Sequence, residues 1–524
     1  MELSELLRSV ARMLPLDPDS EPDVLLHPEG EGTSSGLGSF RLREGTHVTG
    51  ITEDSRLVRP GDLFVAVPGA RNDGMLFAAD AIARGAVAVV GARGSRERLG
   101  GRNDPPSSVP VVEVDNPRRA LSALSARFFG EPTRSLTTIG VTGTNGKTTT
   151  AHMIAHLLGA EQTALISTVS NVKAERPGLT TPSSVEVQRT ARHAVDHGCR
   201  ALVIEASSIG LAMDRLTDVR FDVAVWIGVT AEHLGFHRTM RRYVEAKLNL
   251  VRSIGSDGIC VVRGDDRLVA LVERNCRGNM VRFGIHGAET VHARDLDESL
   301  LETQFTLCVA SSRALVRLPL PGEYNVINAL AAAAAVHGLG MNVEAIAERM
   351  GRFRPVDGRF EAYRSPSGAL AVVDFAHTPD ALARVLRHLR SHAPSRASRL
   401  IVVFGCTGDA DREKRFQMGR TVGSLADLAV ITLDNPKLAV PEAIATDVAA
   451  GVREAGGQWR SVSMRSEAIS NALVVANEHD VVLVAGKGHE THQIVGDRLE
   501  PHSDRLELLG AGCVPVTGTQ PRRR

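Results

Sequence analysis

The sequence predicts an α/β protein of three domains, with a central parallel sheet and a second open sheet in the C-terminal third. Three observations carry that expectation. The chain has 524 residues, and domains usually take about 100–200 each. From residue 133 onward, short apolar β-branched runs alternate with longer helical patterns, as expected of a parallel sheet covered by helices on both faces. Polar or glycine-rich turns follow the ends of successive runs, where open α/β sheets bind their ligands.

The elements follow in order. Residues 3–14 read as a helix, and the Pro-, Asp-, Gly- and Ser-rich segment to about residue 45 reads as a loose loop. Strand patterns at 48–51, 61–67, 86–90 and 111–114, with helices at 77–85 and 117–129, make a small α/β domain over 46–132. A central domain over 133–352 takes strands at 136–141, 163–166, 201–205, 223–227 and 258–262. Its helices are expected at 151–158, 184–197, 240–254 and 325–339, with further strands within 302–320. The last domain, 353–510, repeats strands (369–375, 399–404, 428–433, 481–484) and helices (379–391, 418–425, 441–454, 468–476). The tail 511–524 reads as disordered.

Composition excludes several classes. Lys+Arg and Asp+Glu both number 61, so net charge is zero, and electrostatics favours neither nucleic acid nor an acidic membrane surface as a partner. A hydrophobic content of 43% suits ordinary globular cores. There is no run of eighteen apolar residues, so no membrane span is expected. The six cysteines (199, 260, 276, 308, 406 and 513) show no paired metal spacing, which suits a reduced cytoplasm. A cytoplasmic monomer is expected.

The stretch Thr138-Ile139-Gly140-Val141-Thr142-Gly143-Thr144-Asn145-Gly146-Lys147-Thr148-Thr149-Thr150 places a glycine loop, a lysine and hydroxyl residues between a buried strand and a helix. Glycines let backbone N–H groups approach phosphate oxygens, and the helix N-terminus adds its dipole. Lys147 reaches the outer phosphates and Thr148 can hold Mg²⁺. Five residues separate Gly140 from Gly146, one more than the generic phosphate-loop spacing. The functional reading is a nucleoside triphosphate site.

Other candidates lie at strand ends. Glu205 leaves a strand beside that loop, where a carboxylate suits Mg²⁺. His233 and His237 stand four apart and could share a helix face as metal ligands, although Gly235 and the missing acid weaken a zinc site. On spacing alone Lys247 is a solvent-facing helix lysine. Asp374 follows a buried strand and could accept from a ribose hydroxyl. The turns at 405–409, 434–437 and 486–490 make one edge of the last domain a binding face.

Taken together, these residues resemble the Mur ligase family, and within it the MurE branch, from about residue 46 to 505. The resemblance rests on Asp54-Ser55-Arg56 with Gly61-Asp62-Leu63-Phe64, the loop Gly140 to Thr150, and Glu205-Ala206-Ser207-Ser208. It rests equally on Tyr243 to Lys247, Gly322 to Asn325 with Asn328, Gly358-Arg359, Asp374 to Pro379, Asp434-Asn435-Pro436, and Gly486 to Glu490. It implies three domains: one for a UDP-sugar, a central phosphate-loop ATPase, and a Rossmann-like open sheet for an incoming amino acid.

The resemblance implies residue roles as well. Ser55 and the turn Pro68 to Asn72 would hold the uridine end, and Thr180, Thr181, Ser207 and Arg215 the sugar-peptide. Gly143, Thr144, Asn145, Gly146, Lys147, Thr148, Thr149, Asn325, Asn328, Arg359, Asp374 and His377 would contact ATP. Asp434, Asn435, Lys437, Gly486 and Glu490 would face the amino acid. Thr148, Glu205, His233 and a carbamylated Lys247 would hold Mg²⁺, two ions in all, with Lys147, Glu205, His233 and Lys247 catalytic.

The implied reaction is ATP-dependent ligation of an amino acid to UDP-N-acetylmuramoyl-L-alanyl-D-glutamate through an acyl phosphate, for peptidoglycan precursor synthesis. The sequence departs from the family at Gly228, Ile209, Met213, Gly235, Ala410 and Lys437. At Ala410 the family has an arginine that clamps the amino acid's carboxylate. Two alternatives therefore stay open: a paralogue ligating another amine or acceptor, and a degenerate ATP-binding protein without turnover.

Overall fold

Four parallel strands begin the fold, in the order Gly50–Thr52, Asp62–Val65, Ala88–Ala92, Val111–Val114. The computed structural model describes residues 1–11, 45–69, 72–95, 109–170, 179–285, 289–395, 397–410 and 412–516. The loose segment expected before residue 45, part of the 68–72 turn and the last eight residues of the tail fall outside these. Helix Leu3–Ala11 sends Leu3, Leu6 and Leu7 into the core of this first sheet, beside Ile51, Leu63, Val65 and Leu124. Helix Pro117–Phe128 starts with proline at its first turn, and the Asn116 side chain accepts from the N–H groups of Arg118 and Arg119.

The central sheet has nine strands, in the order Ser312–Leu318, Thr303–Val309, Val291–Glu298, Asn279–Gly284, Ile254–Arg263, Phe221–Trp226, Thr137–Thr142, Ala201–Glu205, Thr163–Ile166. It is mixed, because Thr303–Val309 pairs antiparallel with both neighbours. The sequence reading missed Asn279–Gly284 and Val291–Glu298. Both are polar and only partly buried (Arg282, His292, Asp295 and Asp297 among them), so neither shows an apolar run.

The third sheet has seven strands, in the order Trp459–Ser461, Leu428–Ile431, Leu400–Phe404, Val481–Ala485, Leu370–Asp374, Glu361–Arg364, Val514–Pro515. The tail differs from expectation here. Val514–Pro515 pairs with Tyr363 and Arg364, Cys513 is buried in the core, and the Val516 N–H donates to Ala362 O at 3.0 Å. Backbone pairing at a sheet edge orders a segment whose composition alone looked loose. His492–Val495 and Arg498–Pro501 form a separate hairpin.

The chain forms two compact units: Met1–Gly140, Ala160–Ala224 and Val244–Gly258, and Val141–Gly159, Val225–Tyr243 and Ile259–Arg524. Among the described residues no helix is long and apolar enough to cross a membrane.

One buried ion pair locks the last sheet to its final helix, Asp504–Gly510. Arg465 and Asp504 are fully buried and joined by two hydrogen bonds of 2.7 Å, and Arg465 also donates to Ala485 O at 2.9 Å. Burial raises the Asp504 pKa, but Arg465 and His502 outweigh it and bring the carboxyl down to about 2. Removing one partner strands a buried charge, so Arg465→Leu is expected to lose about 3–5 kcal/mol of stability, read as a lower urea midpoint. Because the folded-state pKa is depressed, the pair's contribution is present above the ordinary Asp pKa of about 4 and fades as pH falls towards 2.

Candidate active site

The phosphate-type loop lies in the second unit and is tighter than the glycine spacing suggested. Gly140 is a strand residue whose absent Cβ makes room for Leu250 and Phe221, so the loop proper runs from Gly143. The helix begins at Lys147, four residues before the expected start, with Gly146 before it at φ 86°. A Cβ on Gly146 would stand 2.2 Å from Asn328 Oδ1. This glycine is therefore required twice, by its backbone angle and by the close approach of Asn328. The backbone N–H groups of the helix's first turn are the ones a helix leaves unsatisfied, which is what an anion uses.

Side chains brace the loop from several directions. Thr144 donates to Thr230 O at 3.0 Å and meets the Tyr243 hydroxyl at 3.0 Å. Burial pushes the Tyr243 hydroxyl pKa up, so it stays protonated. The Lys147 ammonium donates to Gly143 O and Thr144 O, both at 3.0 Å. Asn145 donates to Asp380 at 2.8 Å. Arg359 donates to the Thr148 hydroxyl at 3.0 Å and stacks over Phe375, 4.4 Å from the ring centroid. Asn325 donates to Pro321 O and accepts from Asn328. The structure thus gathers Asn145, Lys147, Thr148, Asn328 and Arg359 around one loop.

Asp374 is buried, and its carboxylate accepts from the N–H groups of Phe360 and Ala376 at 2.9 and 2.8 Å. Burial raises its pKa, with Arg359 acting against it. His377 donates through Nδ1 to Phe375 O and turns Nε2 towards Glu232 at 3.6 Å.

Glu232 is a residue that sequence reasoning passed over. Its side chain is 6% exposed, with His377 at 3.6 Å, His233 at 3.7 Å and Lys414 at 3.9 Å. Burial would raise its pKa, yet His377, His233 and Lys147 hold it well below the usual range, so it is ionised. The signal was its place beside His233, a residue already singled out. His233 and His237 both lie beside the Tyr243 ring, with centroids 6.4 and 5.2 Å from it. His233 precedes the short helix Leu234–His237 at φ 54°, and its backbone carbonyl accepts from the His237 N–H.

In the first unit a second group converges on the end of strand Ala201–Glu205. Glu205 is fully buried and accepts from the Thr168 N–H at 3.0 Å, and the Thr168 hydroxyl donates to Thr180 at 3.0 Å. The Thr181 hydroxyl donates to Glu205 O at 2.6 Å and meets the Ser207 hydroxyl at 3.0 Å, while Arg215 donates to Thr181 O at 2.7 Å. Ser207 caps helix Ser208–Ala212. Thr168 was missed, since a lone threonine after a strand carries no pattern. Ser55 is buried in a turn capped by Asp54.

Lys247 departs from its spacing-based reading. It is 1% exposed on helix Met240–Ser253, because that face of the helix is buried. A lysine withdrawn from water must meet counter-charge or change chemically.

The turns of the last sheet form one polar cluster in the second unit. Lys487 is fully buried and donates to Glu490 at 2.7 Å and to Asn435 at 3.2 Å, with Asp434 at 3.6 Å. Burial raises the Asp434 pKa against the pull of Lys487. Lys487 was quoted within its motif but given no role, and its burial shows why it matters: it holds Asp434, Asn435 and Glu490 together. Lys437 pairs with Asp409, and Arg412 and Arg415 share Asp447 at 3.1 and 3.0 Å. Gly486 follows the strand at φ 112°. The Lys437 N–H donates to Ile494 O at 2.9 Å, and the Ile494 N–H donates to Asn435 Oδ1 at 3.0 Å, while the Gly486 N–H donates to Asp374 O at 3.0 Å.

The fold and these clusters define a nucleotide-dependent enzyme class: an α/β phosphate-loop module followed by an open sheet with a polar turn edge. The chain belongs to the Mur ligase family, whose members are ATP- and Mg²⁺-dependent ligases. Three family models match it: Mur ligase family, catalytic domain at residues 47–129, Mur ligase middle domain at 141–336, and Mur ligase, glutamate ligase domain at 358–488. It is 38% identical over 491 residues to a UDP-N-acetylmuramoyl-L-alanyl-D-glutamate–2,6-diaminopimelate ligase of Geobacillus thermodenitrificans, covering 91% of this chain and 98% of that protein. Identity to the enzyme of the same name from Streptomyces avermitilis is 37% over 489 residues, covering 91% and 94%. A solved structure of that name is 29% identical with a TM-score of 0.58, covering 88% of this chain and 94% of the other.

Proposed function

We propose that this chain ligates an amino acid to UDP-N-acetylmuramoyl-L-alanyl-D-glutamate, in the cytoplasm and as a monomer, with 2,6-diaminopimelate as the first amino acid to test. The observation that carries the reading is the braced loop Gly143–Thr149, with Arg359 on Thr148 and Asn328 against Gly146. The residues suit a triphosphate, because the loop offers helix-start N–H groups, a lysine and a hydroxyl, and has no room for a Cβ at Gly146. The three functional modules divide near residues 132 and 352.

ATP supplies the phosphoryl group that turns the substrate carboxylate into an acyl phosphate, a better acyl donor, and Mg²⁺ neutralises phosphate charge. Lys147 holds the outer phosphates as a point charge. Thr148, Glu205, His233 and a carbamylated Lys247 would hold Mg²⁺ with mostly oxygen donors, as that ion prefers. Asn325, Asn328, Arg359, Asp374 and His377 orient the nucleotide. Ser55 holds the uridine end, and Thr180, Thr181, Ser207 and Arg215 hold the sugar-peptide. Asp434, Asn435, Lys437, Gly486 and Glu490 receive the amino acid, with Lys487 as the buried cation that holds Asp434, Asn435 and Glu490.

The reading is tested by ADP release that needs both UDP-sugar-peptide and amino acid, with the product identified by mass spectrometry. Nucleotide binding without turnover under every pairing would instead mark a degenerate paralogue. A second outcome concerns Ala410. Alanine cannot clamp a carboxylate, Lys437 is engaged by Asp409, and Arg412 by Asp447. Ala410→Arg is therefore expected to raise kcat/KM for meso-diaminopimelate by about tenfold or more, since one charge-assisted contact contributes roughly 1.5–3 kcal/mol. An unchanged kcat/KM in a wild type that already uses this amino acid well would sink the idea of a missing clamp.

A further inference from the structure

Away from the loop and the turn edge, two histidines and a glutamate come together. Glu298 ends strand Val291–Glu298, His388 lies on helix Pro379–Ser391, and His392 follows that helix as its cap residue. One ligand atom from each lies within 4.8 Å of the others. The two imidazoles stack with centroids 4.4 Å apart, as the four-residue spacing on one helix face dictates.

The hydrogen bonds settle which ring nitrogens are available. His388 Nε2 faces Leu300 O at 3.3 Å, and a carbonyl only accepts, so Nε2 carries the proton. His392 Nδ1 faces His388 O at 3.0 Å and is protonated for the same reason. That leaves the lone pairs on His388 Nδ1 and His392 Nε2. His388 Nδ1 is buried and makes no hydrogen bond, although its side chain is only 4% exposed and Glu298 Oε2 lies 3.4 Å away. With Nε2 committed to the Leu300 carbonyl, a neutral Nδ1 and the carboxylate face each other as two acceptors, and what joins them is either a proton on the ring or a metal ion. A cation between them removes that conflict. Imidazoles anchored through their second nitrogen to backbone carbonyls are also how metal-binding histidines are usually held.

We propose that Glu298, His388 and His392 form a site for a divalent transition metal of the zinc class, apart from the Mg²⁺ chemistry of the phosphate loop. Two neutral imidazoles and one carboxylate form a donor set that zinc accepts and Mg²⁺ does not favour. The 3.4 Å between His388 Nδ1 and Glu298 Oε2 matches the ligand–ligand edge of about 3.4 Å in a tetrahedron with ~2.0–2.1 Å bonds. His392, with a donor atom within 4.8 Å of both, would supply the third ligand and a water the fourth. The metal would clip a strand matched by the middle-domain model to a helix matched by the C-terminal model.

The test is Zn²⁺ binding by the full chain in excess Mg²⁺, measured by competition with a chromophoric chelator, with Co²⁺ absorption as a second readout. The variants are His392→Ala and Glu298→Gln, with ADP release and circular dichroism verifying that both fold. Wild type is expected to bind one tight Zn²⁺ per chain and to show the visible bands of tetrahedral Co²⁺. Either variant should bind at least ~100-fold more weakly, since even a lost outer-shell partner costs 10–100-fold. Wild type without tight Zn²⁺, or folded variants that bind as tightly as wild type, overturns the proposal. Neither result bears on the ligase reading, which ADP release reports separately.

Discussion

Lys147→Ala is expected to release ADP ~100–1000-fold more slowly than wild type while keeping its fold. The estimate follows the loss of one preorganised donor at a site of developing negative charge. In this structure the ammonium rests on the carbonyls of Gly143 and Thr144, each at 3.0 Å. It is therefore already held over the loop and need only exchange those carbonyls for phosphate oxygens. Losing two partly exposed hydrogen bonds costs about 1–3 kcal/mol, so the melting temperature should fall only by a few degrees. The measurement is steady-state ADP release beside a thermal scan. A wild-type rate would remove the loop lysine from the mechanism.

Lys247→Ala is expected to lose at least ~100-fold in turnover, with partial recovery in acetate. Placing an oxygen donor near Mg²⁺ is worth several kcal/mol of charge stabilisation, and alanine offers none. The 1% exposure of this lysine means that its methylene stem is packed. Lys247→Met is therefore the better-folded companion variant and should be equally inactive. Acetate restores an oxygen donor in the cavity of Lys247→Ala but finds no room in Lys247→Met. A carbamate itself is read by carbon-13 NMR after growth in labelled bicarbonate, as a carbonyl signal absent from both variants. Full activity in Lys247→Ala, or no such signal in wild type, sinks the carbamate assignment.

Much of the fold was legible because it is local. Ala201–Glu205, Pro379–Ser391 and Pro441–Glu454 appear as read, since apolar period, a capping residue or an initial proline lies within a few residues of each boundary. The glycine–lysine loop was equally legible, although its helix starts at Lys147 rather than Ala151, because Gly146 at φ 86° already ends the loop.

What the chain's own residue order determined, then, is the strand–loop–helix grammar and the family to which it belongs. Only the tertiary structure decided which charges are removed from water. Lys247, Lys487, Glu232 and Arg465 each look like surface residues in their own windows, and each is buried. Two of them take counter-charge from distant segments: Asp504 for Arg465, and His377 and Lys414 for Glu232. The same holds for Val514–Pro515, ordered by a strand some 150 residues earlier, and for Glu298 opposite His388. A charge can be buried only where a partner is supplied, and that partner is chosen by the packing of elements far apart in the chain, which no local window of the sequence contains.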